Sequence, residues 1–257
     1  MKELGLKKLL LIGGLMGLTR LDKSICDAGL ASRSEARKLI LSGRVSVDGT
    51  VVSAADSKID TECVSIRVDG KLVSGNSRRY FMLNKPEGFV TATEDKREKT
   101  VLDLLPTELK RLKLFPVGRL DKDTTGLLIL TNDGEFCHKV TSPKKHISKL
   151  YEFYCSGSLD TGDIDAFEKG VELKDGSKCL PSFLKIDADD PCHGYLTIFE
   201  GQYHQVKRML ASRAKPVHSL KRIAMGELVL DTALTPGEFK ELTENDIKLI
   251  VNKNVTD

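Results

Sequence analysis

The chain has 257 residues, enough for one large domain and a small one, each with a packed interior. Charged residues make up 30% of it, yet 40 basic against 37 acidic side chains leave a net charge of only +3. That excludes a global polycationic field, so any affinity for nucleic acid must come from local basic patches. Six cysteines (Cys26, Cys63, Cys137, Cys155, Cys179 and Cys192) form no Cys-x-x-Cys pair and no Cys/His group at zinc spacing. They read as reduced, mostly buried thiols of a cytosolic protein, and no metal is expected.

Residues 1–17 contain Lys7-Lys8 and the apolar run Leu9 to Met16, which superficially imitates a secretory signal. The run is too short to span a bilayer and no small-residue cleavage site follows it. Two readings stand: a disordered or helical extension, or a start assigned too early, with Met16 the true initiator. No association with a membrane is expected.

A small domain is expected over residues 18–67. Leu21, Ile25 and Ala28 share one face at helical spacing, with Gly29 as the stop. Ser32-Arg33-Ser34-Glu35 then fits a capping box opening a second helix, whose apolar face is Ala36, Leu39 and Ile40 and whose stop is Gly43. Val45, Val47, Val51 and Val52 flank Asp48-Gly49, a two-residue hairpin signal. Arg33, Arg37, Lys38 and Arg44 fall opposite the apolar stripe, where they read either as a solvated face or as groups that pair with phosphates. The composition of residues 68–79, with Asp69-Gly70 and Ser74-Gly75-Asn76-Ser77, is that of a linker.

Residues 80–250 read as a larger mixed α+β domain with a largely antiparallel sheet and flanking helices. Short apolar strands are expected at Tyr80 to Leu83, Leu127 to Leu130, Tyr151 to Cys155, Tyr195 to Phe199 and Glu227 to Leu230. Helices are expected at Ile164 to Lys169 and Gln205 to Ser212, and a turn at Thr235-Pro236-Gly237-Glu238. There is no glycine-rich dinucleotide fingerprint and no P-loop, so nothing asks for a nucleotide cofactor. Leu127 to Leu130 is a continuous apolar run closed by Asn132-Asp133-Gly134, as in a strand buried on both faces. Asp121 stands at its entry, either as a turn aspartate bonding its own backbone or as a reactive carboxylate. Lys144-Lys145-His146 with Lys149, Lys207-Arg208 and Lys221-Arg222 are basic runs that together would make a cationic rim.

The stretch Gly118-Arg119-Leu120-Asp121, with Thr124, Gly126-Leu127-Leu128 and Leu130-Thr131-Asn132-Asp133-Gly134, resembles the catalytic motif of the pseudouridine synthases that modify ribosomal RNA. Asn84-Lys85-Pro86-Glu87-Gly88, Lys149-Leu150-Tyr151 and Glu200-Gly201-Gln202-Tyr203-His204-Gln205-Val206-Lys207-Arg208-Met209 resemble its other motifs, in order. Arg20-Leu21-Asp22-Lys23, the Ser32 to Lys38 segment and Gly43-Arg44-Val45 resemble the S-four type RNA-binding domain that one branch of the family carries at its N-terminus.

The resemblance implies Asp121 as the catalytic aspartate, Tyr151 as an aromatic face beneath the target uracil and Lys207 as the ion-pair partner of Asp121, with Arg208 as the fallback. It also implies that Arg119 either fills the space left by an extruded base or holds a phosphate, a structural salt bridge being its plain alternative. His204 is expected to position its loop. Arg33, Arg37, Lys38 and Arg44 become RNA-binding candidates. The implied activity is a cofactor-free isomerisation of a specific uridine in ribosomal RNA, by a cytoplasmic monomer acting on an assembly intermediate. The Lys85 to Gly88 and Thr100 to Pro106 segments resemble the small-subunit enzymes more than the large-subunit ones. The rival readings are a large-subunit enzyme, a non-catalytic assembly factor and a small-molecule hydrolase.

Overall fold

The structure is a computed structural model that describes residues 18–60, 64–73, 78–110 and 112–251. The expectations for residues 1–17 and for Cys63 lie outside these. The chain divides into two compact units, the first of residues 1–77 with 111–113 and the second of residues 78–110 and 114–257.

In the first unit β1 (Leu18–Arg20) leads into α1 (Leu21–Asp27) and α2 (Arg33–Leu41), followed by β2 (Val45–Val47), β3 (Thr50–Val51), β4 (Lys58–Asp60), β5 (Ile66–Val68) and β6 (Lys71–Val73). Strand β1 pairs with β4, and the other four form an antiparallel sheet in the order β3-β2-β5-β6. The helices exist for the reasons their sequence gives. Leu21, Ile25, Ala36 and Ile40 are fully buried on one side of the pair. The capping box is present, with Ser32 Oγ accepting from the Glu35 amide and Glu35 Oε2 accepting from the Ser32 amide at 2.8 Å. Asp48 and Gly49 both have positive φ (47° and 79°), the conformation a two-residue hairpin turn needs.

One boundary is corrected. Residues 68–73, read as linker, belong to the β5–β6 hairpin, which turns at Asp69-Gly70 with φ of 50° and 76° and buries Val73 in the unit's core. Asp-Gly serves a linker and a tight turn equally well. Only the core contact of Val73 separates the two.

The second unit is built on a nine-stranded sheet. Its strands are β7 (Tyr80–Lys85), β8 (Phe115–Pro116), β9 (Thr125–Thr131), β10 (Lys149–Cys155), β11 (Phe183–Ile186), β12 (His193–Ile198), β13 (Val217–Met225), β14 (Leu228–Val229) and β15 (Phe239–Glu241). The main order is β11-β12-β10-β13-β9-β7-β15, with β14 on β13 and β8 on β9. The flanking helices are α3 (Thr107–Lys110), α4 (Gly134–Thr141), α5 (Thr161–Lys169), α6 (Gln205–Ser212) and α7 (Glu244–Val251). Every strand pairing is antiparallel except that of β13 with β9, a short parallel joint of Lys221 with Thr125 and Arg222 with Gly126. The fold is therefore α+β with a mostly antiparallel sheet, as the sequence reads.

Leu127 to Leu130 are completely buried, so both faces of β9 are covered. Leu127 and Ile129 pack with Met82, Phe136, Val140 and Ile250, a core that α4 and α7 roof over.

Three local readings change. Asn132-Asp133-Gly134 is no simple turn: Asp133 caps α4, its Oδ1 accepting from the amides of Glu135 and Phe136 at 3.0 and 3.1 Å. The strand expected at Glu227 to Leu230 shrinks to two residues. The nine-residue β13 goes unread in the sequence because its inward positions are Leu220, Arg222 and Ala224, all buried. An arginine at the middle of that alternation hides it.

Candidate active site

Asp121 ends a loop that enters β9 beside the parallel joint, and the segment after β7 clasps that loop. Thr91 Oγ1 donates to the Leu120 carbonyl at 2.6 Å and accepts from the Leu120 amide at 3.2 Å. The Gly88 amide donates to the Lys122 carbonyl at 2.9 Å. Lys85 has no solvent exposure, and its ammonium donates to the carbonyls of Pro86, Lys122 and Thr124 at 3.1, 3.2 and 2.8 Å. Burial pulls the Lys85 pKa down to about 8, against the opposing pull of the Asp123 and Asp121 carboxylates. A buried cation thus ties two carbonyls of the aspartate loop, those of Lys122 and Thr124, to the end of β7. The sequence reading quoted Lys85 within a motif and gave it no role, since a lysine in an otherwise apolar strand carries no local sign of which carbonyls it will meet.

Gly126 allows the joint to close. A Cβ there would lie 2.3 Å from the Arg222 carbonyl oxygen, and its φ is +96°, so no other residue fits without displacing β13.

Asp121 meets two bases. His204 Nε2 lies 3.2 Å from its Oδ1 and Lys207 Nζ 3.3 Å from its Oδ2. Both come from the start of α6, where His204 holds the N-cap position with φ of 48°. The Glu200–Gln205 loop that presents them is tied internally: Gln205 Nε2 donates to Glu200 Oε1 at 2.8 Å, and Gln205 Oε1 accepts from the Gln202 amide at 2.9 Å.

The ion pair expected between Lys207 and Asp121 is present, but it is shared. Lys207 Nζ lies closer to Asp123 Oδ1, at 2.6 Å. Burial draws the Lys207 ammonium down, yet the Asp123 hydrogen bond and the two carboxylates outweigh it and leave its pKa above the ordinary value. The Lys207 hydrogen bond in turn holds Asp123 below the usual carboxylate range. Asp123 went unnoticed in the sequence because it lies outside the quoted motif positions. Arg208 points elsewhere, pairing with Asp175 at 2.5 Å.

Two clefts meet at Asp121 and Tyr151. The smaller, about 80 Å³, has apolar walls from Leu120, Ile198, Val206 and Leu220. Thr124 also lines it, and its buried hydroxyl has no hydrogen-bond partner among the described residues. The larger, about 350 Å³, is lined by Arg119, Lys149, Arg222 and the Gly201–His204 loop. Tyr151 is 8% exposed and lines both. Arg119 lines both as well, is exposed, and forms no ion pair with a described residue, so its structural salt bridge is absent there.

Of the expected cationic rim, Lys144 and Lys145 are exposed and line neither cleft. Arg222 is not a rim residue at all, being 3% exposed in the interior. In the first unit Arg33, Arg37, Lys38 and Arg44 are all exposed, but Arg44 is engaged with Asp69 at 2.5 Å and Arg33 lies 3.8 Å from Asp22.

A carboxylate set between two basic side chains at the meeting of two clefts is the arrangement of an acid–base or nucleophilic enzyme site. Residues 79–212 match the sequence profile described as RNA pseudouridylate synthase, and residues 19–62 match that of the S4 domain. The chain is 42% identical to the uncharacterized RNA pseudouridine synthase YtzG of Bacillus subtilis, over 90% of this chain and 98% of that protein. It is 41% identical to the ribosomal small subunit pseudouridine synthase A of Escherichia coli K12, over 90% of this chain and all of that one. A crystal structure of a pseudouridylate synthase superposes with a TM-score of 0.64 at 37% identity, covering 90% of this chain and 99% of that one. The chain belongs to the RNA pseudouridine synthase family and is an isomerase of that kind.

Proposed function

We propose that this enzyme converts one uridine of small-subunit ribosomal RNA to pseudouridine. The observation that carries the choice of RNA is similarity along nearly the whole chain to proteins named for the small ribosomal subunit, at 40–41% identity in Vibrio and Escherichia species. An RNA-binding module of the S4 type supports a ribosomal RNA partner.

In the reaction the bond from ribose C1′ to uracil N1 breaks, the base turns in place, and C5 bonds to C1′ while the C5 hydrogen leaves as a proton and N1 gains one. Nothing is oxidised or reduced. Asp121 is the reacting carboxylate, and attack on C1′ or removal of a ribose proton would both start from the same anion. Lys207 and His204 keep that anion aimed from two sides. The uracil enters the smaller apolar cleft with its face on Tyr151, while Arg119 stands at the mouth to take the place of the extruded base or to hold a phosphate. In the first unit Arg33, Arg37 and Lys38 contact phosphates, with Arg44 joining once its Asp69 pair opens.

The enzyme works as a monomer on an assembly intermediate in the cytoplasm. No helix among the described residues is long and apolar enough to cross a membrane. Mapping pseudouridine in ribosomal RNA from cells lacking the protein tests the reading. Loss of one small-subunit position is the expected result; loss from the large subunit, or no loss, would overturn it.

A further inference from the structure

The wall of the larger cleft holds two cations that form no ion pair with a described residue. Lys149 on β10 and Arg222 on β13 sit on neighbouring strands, where Tyr151 faces Arg222 and a bulge at Leu150/Tyr151 brings Lys149 opposite Met225. Arg222 is buried; its Nε donates to the Leu127 carbonyl at 2.8 Å, but its Nη2 has no hydrogen-bond partner among the described residues. The side-chain ammonium of half-buried Lys149 makes no hydrogen bond or ion pair with any of them. Glu200, the one acid lining this cleft besides Asp121, is already engaged by the Leu180 amide and by the side chains of Gln202 and Gln205. Asp121 is held by His204 and Lys207.

Burial, and the charge of Arg222 next to it, pull Lys149 down to about 8 and outweigh the opposing pull of the Glu200 carboxylate. Two adjacent, poorly hydrated cations repel each other and leave a donor unsatisfied, a cost that an anion removes and a neutral carbonyl oxygen offsets only in part.

We infer that Lys149 and Arg222 form an anion subsite that holds a phosphodiester of the RNA strand beside the extruded uridine. It shares the larger cleft with Asp121 and Tyr151, so a strand whose uracil occupies the smaller cleft carries its flanking phosphate along this wall. The guanidinium and the point-charge ammonium divide the work: Arg222, anchored on Leu127 through Nε, offers its unpartnered Nη2 from a fixed position, and Lys149 supplies charge from the strand next to it. Neither is a catalytic residue. Together they set the register in which the uridine meets Asp121.

The inference rests on RNA being the substrate. Arg222 also supports β9 through Leu127, so its replacement risks misfolding, and Lys149 carries the test. Small-subunit ribosomal RNA transcribed with tritium at uracil C5 serves as the probe, since isomerisation releases that hydrogen. For Lys149→Met, KM should rise about tenfold with kcat within about twofold, and the slope of log KM against log salt should flatten by about one, the signature of a lost phosphate contact. Lys149→Arg should restore most of the slope. An unchanged slope in Lys149→Met, or a Lys149→Arg variant as flat as Lys149→Met, would overturn the subsite. If wild-type protein releases no tritium from this RNA, the choice of substrate fails instead. Equilibrium binding of the same RNA to wild type and variants, read by the same slopes, then decides the subsite.

Discussion

At Asp121 the chemistry depends on charge and placement in equal measure. Asp121→Asn keeps the size and loses the anion, so turnover should vanish while RNA affinity stays within a few-fold of wild type; measurable pseudouridine from the pure variant would sink the mechanism. Lys207→Met removes the cation that Asp121 shares with Asp123, and most activity should go with it, whereas Lys207→Arg should keep far more. Arg208→Met is the matched control because Arg208 pairs with Asp175 and not with Asp121; an inactive control beside an active Lys207→Met would reverse the assignment. Lys85 titrates on its own terms. Its folded pKa of about 8 lies below the unfolded value of about 10.4, so between those values the unfolded chain binds more protons and stability rises with pH. That rise amounts to at most about 1.4 kcal/mol per pH unit for one lysine. Lys85→Met should remove it, seen as a smaller gain in unfolding free energy between about pH 8 and 10 in urea titrations; a gain equal to that of wild type would show that Lys85 does not bear the shift.

The decisive element contact is the parallel joint of β9 and β13. It brings the Asp121 loop, Tyr151 on β10 and Arg222 on β13 to one place, and it closes only because Gly126 has no side chain. Gly126→Ala would drive a methyl group into the Arg222 carbonyl and force φ of +96° on a residue with a Cβ. A loss on the order of 2–4 kcal/mol of stability is expected, with activity falling further than stability as the two strands part. Denaturant unfolding alongside tritium release would check it, and a variant as stable as wild type would show that the joint can slide. At this scale much was legible. The Ser32 capping box, the Asp48-Gly49 hairpin and the Gln205 to Ser212 helix form as read, because each is fixed by neighbours a few residues away.

In the proposed function the first unit holds RNA and the second alters the base. Removing residues 1–77, which make up the first unit apart from residues 111–113, should weaken RNA binding and flatten its salt dependence, since fewer phosphate contacts release fewer counterions. Fluorescence binding titrations over a salt series would measure this. An unchanged slope would mean that Arg33, Arg37 and Lys38 face solvent even on RNA.

The sequence by itself determined the class of the protein and its α+β architecture and singled out Asp121 as the candidate carboxylate, because motif order, capping and strand periodicity are properties of short stretches of chain. Lys207 aside, tertiary structure alone decided who surrounds that aspartate. Asp123 competes for Lys207, His204 touches Asp121 directly, Lys85 braces the Lys122 and Thr124 carbonyls from another strand, and Arg222 lies inside the protein, bonded to the Leu127 carbonyl. Each of these is a pairing between residues tens to about a hundred positions apart. A charged residue in a strand gives no local sign of the carboxylate or carbonyl it will reach, and burial of a charge is settled by the partners that folding delivers.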